Sequence, residues 1–236
     1  APAAAPAAAP APTTPPKLIV AISVDQFSAD LFAQYRNRFT GGFARLLQGV
    51  VFPSGYQSHA ATETCPGHST ILTGMRPAHT GIIANTWVDQ KAGRADKLVY
   101  CAEDERVPGS THDDYTASDL HLKVPTLGEM MKAANPATRV VSVAGKDRAA
   151  IMMGGHKVDE LWFWNGKTFA SYADRKAPPT VVRAQTAVAD LIAKPQGPLP
   201  LPNWCAAIAR PVQAGALTLG TGRFERAAGD AKGFRA

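Results

Sequence analysis

The chain has 236 residues, 45% hydrophobic and 19% charged, with 25 Lys and Arg against 19 Asp and Glu for a formal charge of +6. This is an ordinary globular composition, with enough chain for one or two domains and a sizeable core. The basic residues are scattered, without dense Lys/Arg runs or interleaved aromatics, which argues against nucleic acid as a partner. No apolar run reaches the roughly 18 residues that a membrane span needs, so no membrane is expected.

Residues 1–16, APAAAPAAAPAPTTPP, are almost wholly Ala, Pro and Thr and read as a flexible, polyproline-like tail. No basic and apolar leader precedes them. Such a tract often remains beside a removed secretory signal, which predicts an extracellular or periplasmic protein.

Folded sequence begins at Lys17. Leu18 to Val24 is a nearly continuous apolar run, the pattern of a strand buried on both faces, and it ends at Asp25. Ser28 offers an N-cap; Leu31, Phe32, Tyr35 and Phe39 recur at helical spacing, and Gly41-Gly42 should stop that helix. Thr126 to Ala134 reads as a second helix broken by Asn135-Pro136, and Arg139 to Ala144 as a second buried strand ending at Gly145-Lys146. Apolar strands alternating with helices argue for a mostly parallel central sheet with helices on both faces.

Leu161-Trp162-Phe163-Trp164, Asn165-Gly166 and Lys167-Thr168-Phe169 read as a hairpin with a tight primed turn. It would be an insertion around residues 158–172 within a body running from 17 to 236. Its aromatics are expected to be packing surface. Pro195 to Pro202 is a connection, and Gly229 to Ala236 ends in no recognisable element, as if cut. Three cysteines form no CxxC pair, so at least one is unpaired. In a secreted protein Cys101–Cys205 is the expected bridge, because Cys65 lies inside a candidate site; three buried thiols is the alternative.

That site is ATETCPGHSTILTG, residues 61–74. It reads as a helix start, with Thr64 near the N-cap, Pro66 in the first turn, Ser69 to Thr73 as a short helix and Gly74 as its stop. A hydroxyl at a helix N-terminus lies beside unpaired N–H groups and the positive end of the dipole, an arrangement that binds phosphate. On these residues alone a plain cap is the favoured reading of Thr64, since capping threonines are common. Ligands of open α/β sheets gather at the carboxyl ends of strands. Asp25 and Lys146 follow two predicted strands, as a metal-binding carboxylate and an anion-binding cation would; a capping Asp and a solvated Lys are the plainer readings.

Val24-Asp25-Gln26, Thr64-Cys65-Pro66-Gly67-His68-Ser69-Thr70, Thr73-Gly74, Pro77, Gly81-Ile82 and Asn85 together resemble the alkaline phosphatase superfamily. The match is to its threonine-nucleophile branch, shared with nucleotide pyrophosphatase/phosphodiesterases. Ala144-Gly145-Lys146-Asp147-Arg148 is similar to the motif of zinc-dependent bacterial enzymes of the PhoK type. The resemblance covers most of Lys17 to Arg148. It implies an alkaline-phosphatase-like fold of which this chain is the N-terminal part, and a monomer that hydrolyses small phosphate monoesters.

The resemblance further implies that Thr64 attacks phosphorus and is transiently phosphorylated, with Asp25 and Thr64 touching the metal. Asn85, Lys146 and Arg148 then bind phosphate oxygens. Zinc lowers a hydroxyl pKa, and two zincs about 3.5–4 Å apart stabilise the attacking and leaving oxygens. Lys146 and Arg148 suit the doubly charged end of a monoester. The family completes its metal pair with an Asp-x-x-x-His motif, an adjacent Asp-His pair and a late His. No Asp here precedes a His at either spacing, so none of His59, His68, His79, His112, His121 and His156 is assigned to metal, and His68 is expected to be structural. The remaining ligands are expected outside these residues. A phosphodiesterase or nucleotide pyrophosphatase and a noncatalytic phosphate-binding fragment are the alternatives; Cys65-Pro66-Gly67-His68 does not match the Cys-x-Pro-x-Arg site of a sulfatase.

Overall fold

The structure, a computed structural model, describes residues 14, 16–52, 54–219 and 225–231. Nearly all of the Ala/Pro tail, and the chain end after residue 231, lie outside the described residues. The chain divides into two compact units, Ala1–Gly55 and Tyr56–Ala236.

In the first unit, residues 18–24 form no strand or helix. The expected doubly buried strand is corrected here: Leu18 is 77% exposed, and Ile19, Val20, Ile22 and Val24 are exposed as well. A strand exists only through backbone partners, and none of the described residues pairs with this segment. A turn follows, with Phe27 N–H donating to Val24 O, Asp25 Oδ1 accepting from Gln26 N–H, and Gln26 at φ +60°. Ser28 caps α1 (Ala29–Tyr35), its hydroxyl accepting from Leu31 N–H. A 3₁₀ turn, Arg36–Arg38, continues it. Gly41-Gly42 does not end this helix but opens α2 (Gly41–Leu46), because Phe39 and Thr40 have already turned extended. Phe27, Phe32, Phe39 and Phe43 stack as one aromatic cluster, with ring centroids 5.1–6.2 Å apart.

The second unit opens with α3 (Thr64–Thr73), which stops where Gly74 takes φ +69°, a left-handed conformation that glycine adopts without strain. Next come α4 (Pro77–Thr80) and an antiparallel pair, β1 (Thr86–Val88) and β2 (Leu98–Tyr100). A long loop leads to α5 (Leu127–Ala134). As expected it starts at Thr126 and ends at Asn135, and a capping box with Glu129 fixes its start.

β3 (Val141–Ala144) runs parallel to β4 (Glu160–Trp164), with α6 (Asp147–Gly154) as the crossover. β5 (Phe169–Ala170) adds an antiparallel edge. β3 was expected to be buried on both faces, but Val141 and Val143 are each 62% exposed. Only its other face, Ser142 and Ala144, turns toward α6, where the Ser142 hydroxyl donates to Ala150 O. The hairpin forms, though not with a two-residue turn. Four residues separate Trp164 from Phe169, held by Asn165 Oδ1 accepting from the N–H groups of Lys167 and Thr168. The aromatic strand is packing surface as expected: Leu161, Trp162, Phe163 and Trp164 are buried.

The core forms where α6 lies between β3–β4 and α3, with Ile151, Met152, Leu161, Cys65, Cys101 and Ile82 fully or almost fully buried. Gly155, at φ +74°, closes α6; a Cβ there would collide with Glu129 Oε2. Then follow α7 (Pro179–Ala193), α8 (Asn203–Ala206) and the hairpin β6 (Val212–Ala214) to β7 (Leu217–Leu219). Arg226 completes the C-terminus of α7 by donating to the carbonyls of Leu191, Ile192 and Lys194.

Candidate active site

Thr64 is the first residue of α3, with Glu63 at the N-cap position. That is one step later than the capping role the sequence suggested. Pro66 follows in the first turn, where its missing N–H removes no intrahelical bond. Gly67 N–H donates to Glu63 O, closing that turn. Deeper in the helix, His68 is 6% exposed and its Nδ1 donates to Thr64 O at 2.8 Å. This matches the structural role expected of His68.

Asn85 reaches this helix start from the loop before β1. Its Oδ1 accepts from Cys65 N–H at 2.8 Å, its own N–H donates to Glu63 Oε2 at 2.6 Å, and its carbonyl accepts from Cys101 N–H at 2.9 Å. With Oδ1 committed to the helix, the other end of the amide is a pair of donors, the polarity an oxyanion requires.

Cys65 and Cys101 form a disulfide, which overturns the expected Cys101–Cys205 bridge; Cys205 is a free thiol. Pairing is set by where the backbones meet, and Asn85 brings these two together by bonding both. The half-buried Thr64 therefore heads a helix that is covalently tied to the end of β2.

Lys146 and Arg148 flank the start of α6, where Lys146 is the N-cap residue, exposed, and Arg148 is half-buried. Both line a cleft of about 870 Å³ together with Thr86, Tyr100, Tyr115, Asp147 and Trp164. Asp147, between them, is 9% exposed and accepts from Tyr100 Oη at 2.9 Å and from Tyr115 Oη at 2.7 Å. Burial, then the Asp147 charge, push the Tyr100 hydroxyl up to about 12. The same causes push Tyr115 upward. Arg148 Nη1 donates to Tyr100 Oη at 3.4 Å.

The structure thus joins Thr64 to Asn85 through Cys65, and Arg148 to β2 through Tyr100, the residue next to Cys101. Thr64 and Asn85 are not part of the cleft lining. Asp25, exposed at its turn, belongs to the first unit.

Among the described residues no three His, Cys, Asp or Glu side chains gather into a metal-binding group. Asp25 and Thr64 would supply one carboxylate and one hydroxyl, fewer donors than four-coordinate zinc takes. They do not complete a site. Three of the histidines have structural neighbours. His112 Nδ1 lies 2.8 Å from Asp96, His121 Nε2 lies 3.0 Å from Glu105, and the two nitrogens of His156 face Glu129 and Leu122 O.

The sequence profile of the type I phosphodiesterase / nucleotide pyrophosphatase family matches residues 19–221. The chain belongs to that family. It is 64% identical to the alkaline phosphatase PhoK of a Sphingomonas species over 94% of this chain and 40% of that protein. To the alkaline phosphatase PhoD of Zymomonas mobilis it is 52% identical, over 93% and 38%. The chain therefore spans about 40% of the length of the curated relatives it matches.

The crystal structure of the alkaline phosphatase PafA superposes with a TM-score of 0.69 at 26% identity, covering 89% of this chain and 43% of that one. The α/β, alkaline-phosphatase-like fold expected from the sequence is thereby shown. A PafA variant, TM-score 0.63 at 25% identity over 82% of this chain and 40% of that one, has a threonine, an asparagine, a lysine and an arginine replaced. Those are the residue types of Thr64, Asn85, Lys146 and Arg148 in the same chain order. The first two are 21 positions apart and the last two are two apart in both proteins.

Sequence reasoning missed Tyr100, Tyr115, Asp147 and Glu63, and gave Cys101 the wrong partner. Asp147 lay inside a quoted motif, but its partners are 47 and 32 residues away and no local pattern marks them.

Proposed function

We propose that the protein encoded by the complete reading frame hydrolyses phosphate monoesters through a phosphothreonine intermediate on Thr64. The observation that carries this reading is the arrangement at the start of α3. A threonine hydroxyl sits at the positive end of a helix, beside an asparagine whose acceptor is bound to Cys65 N–H and whose donors remain for an anion. The alkaline phosphatases among its relatives support it, as does the PafA variant altered at the same four residue types.

In the proposed reaction the Thr64 hydroxyl gives up its proton to solvent, its oxygen forms a bond to phosphorus, and the ester P–O bond breaks, the electron pair leaving on the ester oxygen, which takes a proton from water to become the alcohol. Water then displaces threonine and releases phosphate. Asn85 Nδ2 donates to a phosphoryl oxygen, while Lys146 and Arg148 hold the charges that a monoester carries in excess of a diester. Zinc is proposed as the cofactor, with Asp25 and Thr64 as the donors these residues contribute; its role in such sites is to lower the pKa of a hydroxyl.

The Cys65–Cys101 disulfide supports an extracellular or periplasmic location, since cytosolic thiols are kept reduced. Among the described residues no helix is long and apolar enough to cross a membrane. A monomer acting on small phosphoesters, without nucleic acid or membrane as partner, completes the proposal.

The family's own description favours a second reading, a phosphodiesterase or nucleotide pyrophosphatase. Turnover of a monoester against a diester separates the two, and a preference for the diester would overturn the first. Replacing Thr64 by Ala tests the nucleophile: turnover should vanish and no acid-stable phosphothreonine peptide should be trapped, whereas near-normal turnover would refute the mechanism. Metal analysis of the whole protein should find zinc bound in stoichiometric amount.

A further inference from the structure

The end of β2 presents a hydroxyl that the proposed chemistry leaves without a role. Tyr100 is 8% exposed, and its Oη makes two different bonds, donating to Asp147 Oδ1 at 2.9 Å and accepting from Arg148 Nη1 at 3.4 Å. Asp147 is held from its other side by Tyr115, whose Oη donates to Oδ2 at 2.7 Å. The two tyrosine rings lie against each other with centroids 4.7 Å apart. Both carboxylate oxygens are thus engaged by phenols, and the carboxylate is buried between the two cations of the motif.

Arg148 is held lightly by comparison. Its Nε is buried with no hydrogen-bond partner, and among the described residues no carboxylate lies within ion-pair distance of its guanidinium. Among the described residues only the Tyr100 hydroxyl bonds the fork and sets its direction. An arginine side chain left unguided must be ordered by its ligand at the moment of binding; one aimed in advance need not be.

We propose that Tyr100, backed by Asp147 and Tyr115, is a positioning residue that aims the Arg148 guanidinium at the phosphoryl group. The proposal rests on the reading that Arg148 binds the substrate's phosphoryl oxygens. The chemistry suits alkaline conditions. Burial and the adjacent Asp147 charge raise Tyr100 to about 12, so its hydroxyl stays protonated and keeps donating to Asp147 where a solvent-exposed phenol would ionise. A donor in place of Tyr100 that lost its proton would become an anion bound to Arg148 and would compete with the substrate.

The test uses the protein of the complete reading frame and kcat/KM for p-nitrophenyl phosphate and bis-p-nitrophenyl phosphate. It compares wild type, Tyr100→Phe, Arg148→Ala, and the double variant. Loss of one weak hydrogen bond should lower monoester kcat/KM about three- to tenfold in Tyr100→Phe, and diester kcat/KM less, so the monoester-to-diester ratio falls. In the Arg148→Ala background the same tyrosine change should not alter the ratio further, because there is nothing left to aim. A merely structural tyrosine would lower both substrates equally and would do so in either background; that result overturns the proposal.

If Arg148→Ala lowers the ratio and Tyr100→Phe does not, positioning fails while the phosphate-binding reading stands. If Arg148→Ala leaves the ratio unchanged, the phosphate-binding reading fails and positioning falls with it. Should Tyr100→Phe not fold, Asp147→Asn carries the test: a fallen ratio supports the proposal and an unchanged one overturns it.

Discussion

Breaking the Cys65–Cys101 bridge perturbs both stability and the proposed site. The bridge spans a sequence separation of 36 residues. For a loop of that length the chain-entropy relation gives about 4 kcal/mol of stabilisation through restriction of the unfolded chain. At a urea slope of about 2 kcal/mol per molar, that is a midpoint shift of about 2 M. The bridge also joins the two residues whose N–H groups bond Asn85, Cys65 to its side chain and Cys101 to its carbonyl. Reduction should therefore loosen Asn85 against the start of α3 and lower monoester kcat/KM even where the protein is still folded. The assay is urea unfolding of the oxidised and the reduced protein, with thiol titration showing two additional thiols in the latter. A midpoint shift below about 0.3 M, together with unchanged kcat/KM, would refute both the entropic argument and the coupling to Asn85.

Replacing Arg148 by Ala should cost about 1.5–3 kcal/mol in the monoester reaction, about ten- to a hundredfold in kcat/KM. Diesters, with one ionised oxygen fewer, should lose less; equal losses would mean general anion attraction. Because folding raises Tyr100 from the ordinary value of about 10 to about 12, its contribution is fully present below about pH 10 and is lost as pH rises toward 12. Urea midpoints measured from pH 9 to 12 should fall less steeply in Tyr100→Phe, and parallel slopes would contradict the assignment. Arg94 forms a two-pronged pair with Glu103, whose side chain is fully buried. Arg94→Ala should destabilise the second unit by about 3–5 kcal/mol by stranding that charge, an effect read by urea unfolding and absent if the loops on either side of β2 relax around it. Gly155→Ala should destabilise more than a surface Gly→Ala change, since it needs a left-handed backbone and its Cβ meets Glu129 and Thr126; equal midpoints would argue that α5 shifts freely against α6.

What could be read in advance was local. Ser28, Thr126, Asn135 and Gly74 act through neighbours three or four residues away, and each marks the boundary it was expected to mark, as does the turn at Asn165 with two residues added. The stretch 61–74 was legible because a hydroxyl, a proline and a glycine at those offsets can hardly be anything but a helix start.

Pairings made at long range were not legible. The apolar run from Leu18 to Val24 announces a strand but not its partners, and β3 announces burial on two faces while the described residues cover only one. Cysteine spacing could not identify the bridge, because what sets it is the backbone meeting at Asn85, 20 residues from Cys65 and 16 from Cys101. The candidate site was read from motifs. Its support was not, since Tyr100 and Tyr115 contribute only hydroxyl groups to a carboxylate far along the chain.

Two arginines of the second unit contrast a cation whose donors are spent on structure with the one proposed to bind phosphate. Arg94 spends every donor inside the protein, on Glu103, Ser110 and the carbonyls of Asp96 and Leu98, with bonds of 2.6–3.1 Å. An arriving phosphate would have to break a buried ion pair to reach it. Among the described residues Arg148 instead makes a single long bond, to a hydroxyl. The one carboxylate beside it in sequence, Asp147, has both its oxygens taken up by tyrosines. The two phenols thus do more than satisfy a buried charge. With both Asp147 oxygens accepting from tyrosines, that carboxylate makes no ion pair with Arg148 like the one Glu103 makes with Arg94, and in the proposed site the guanidinium lining the cleft has donors to offer an anion. A negative charge placed between Lys146 and Arg148 is compatible with phosphate binding for that reason, and a sequence read by charge alone would have counted it against the site.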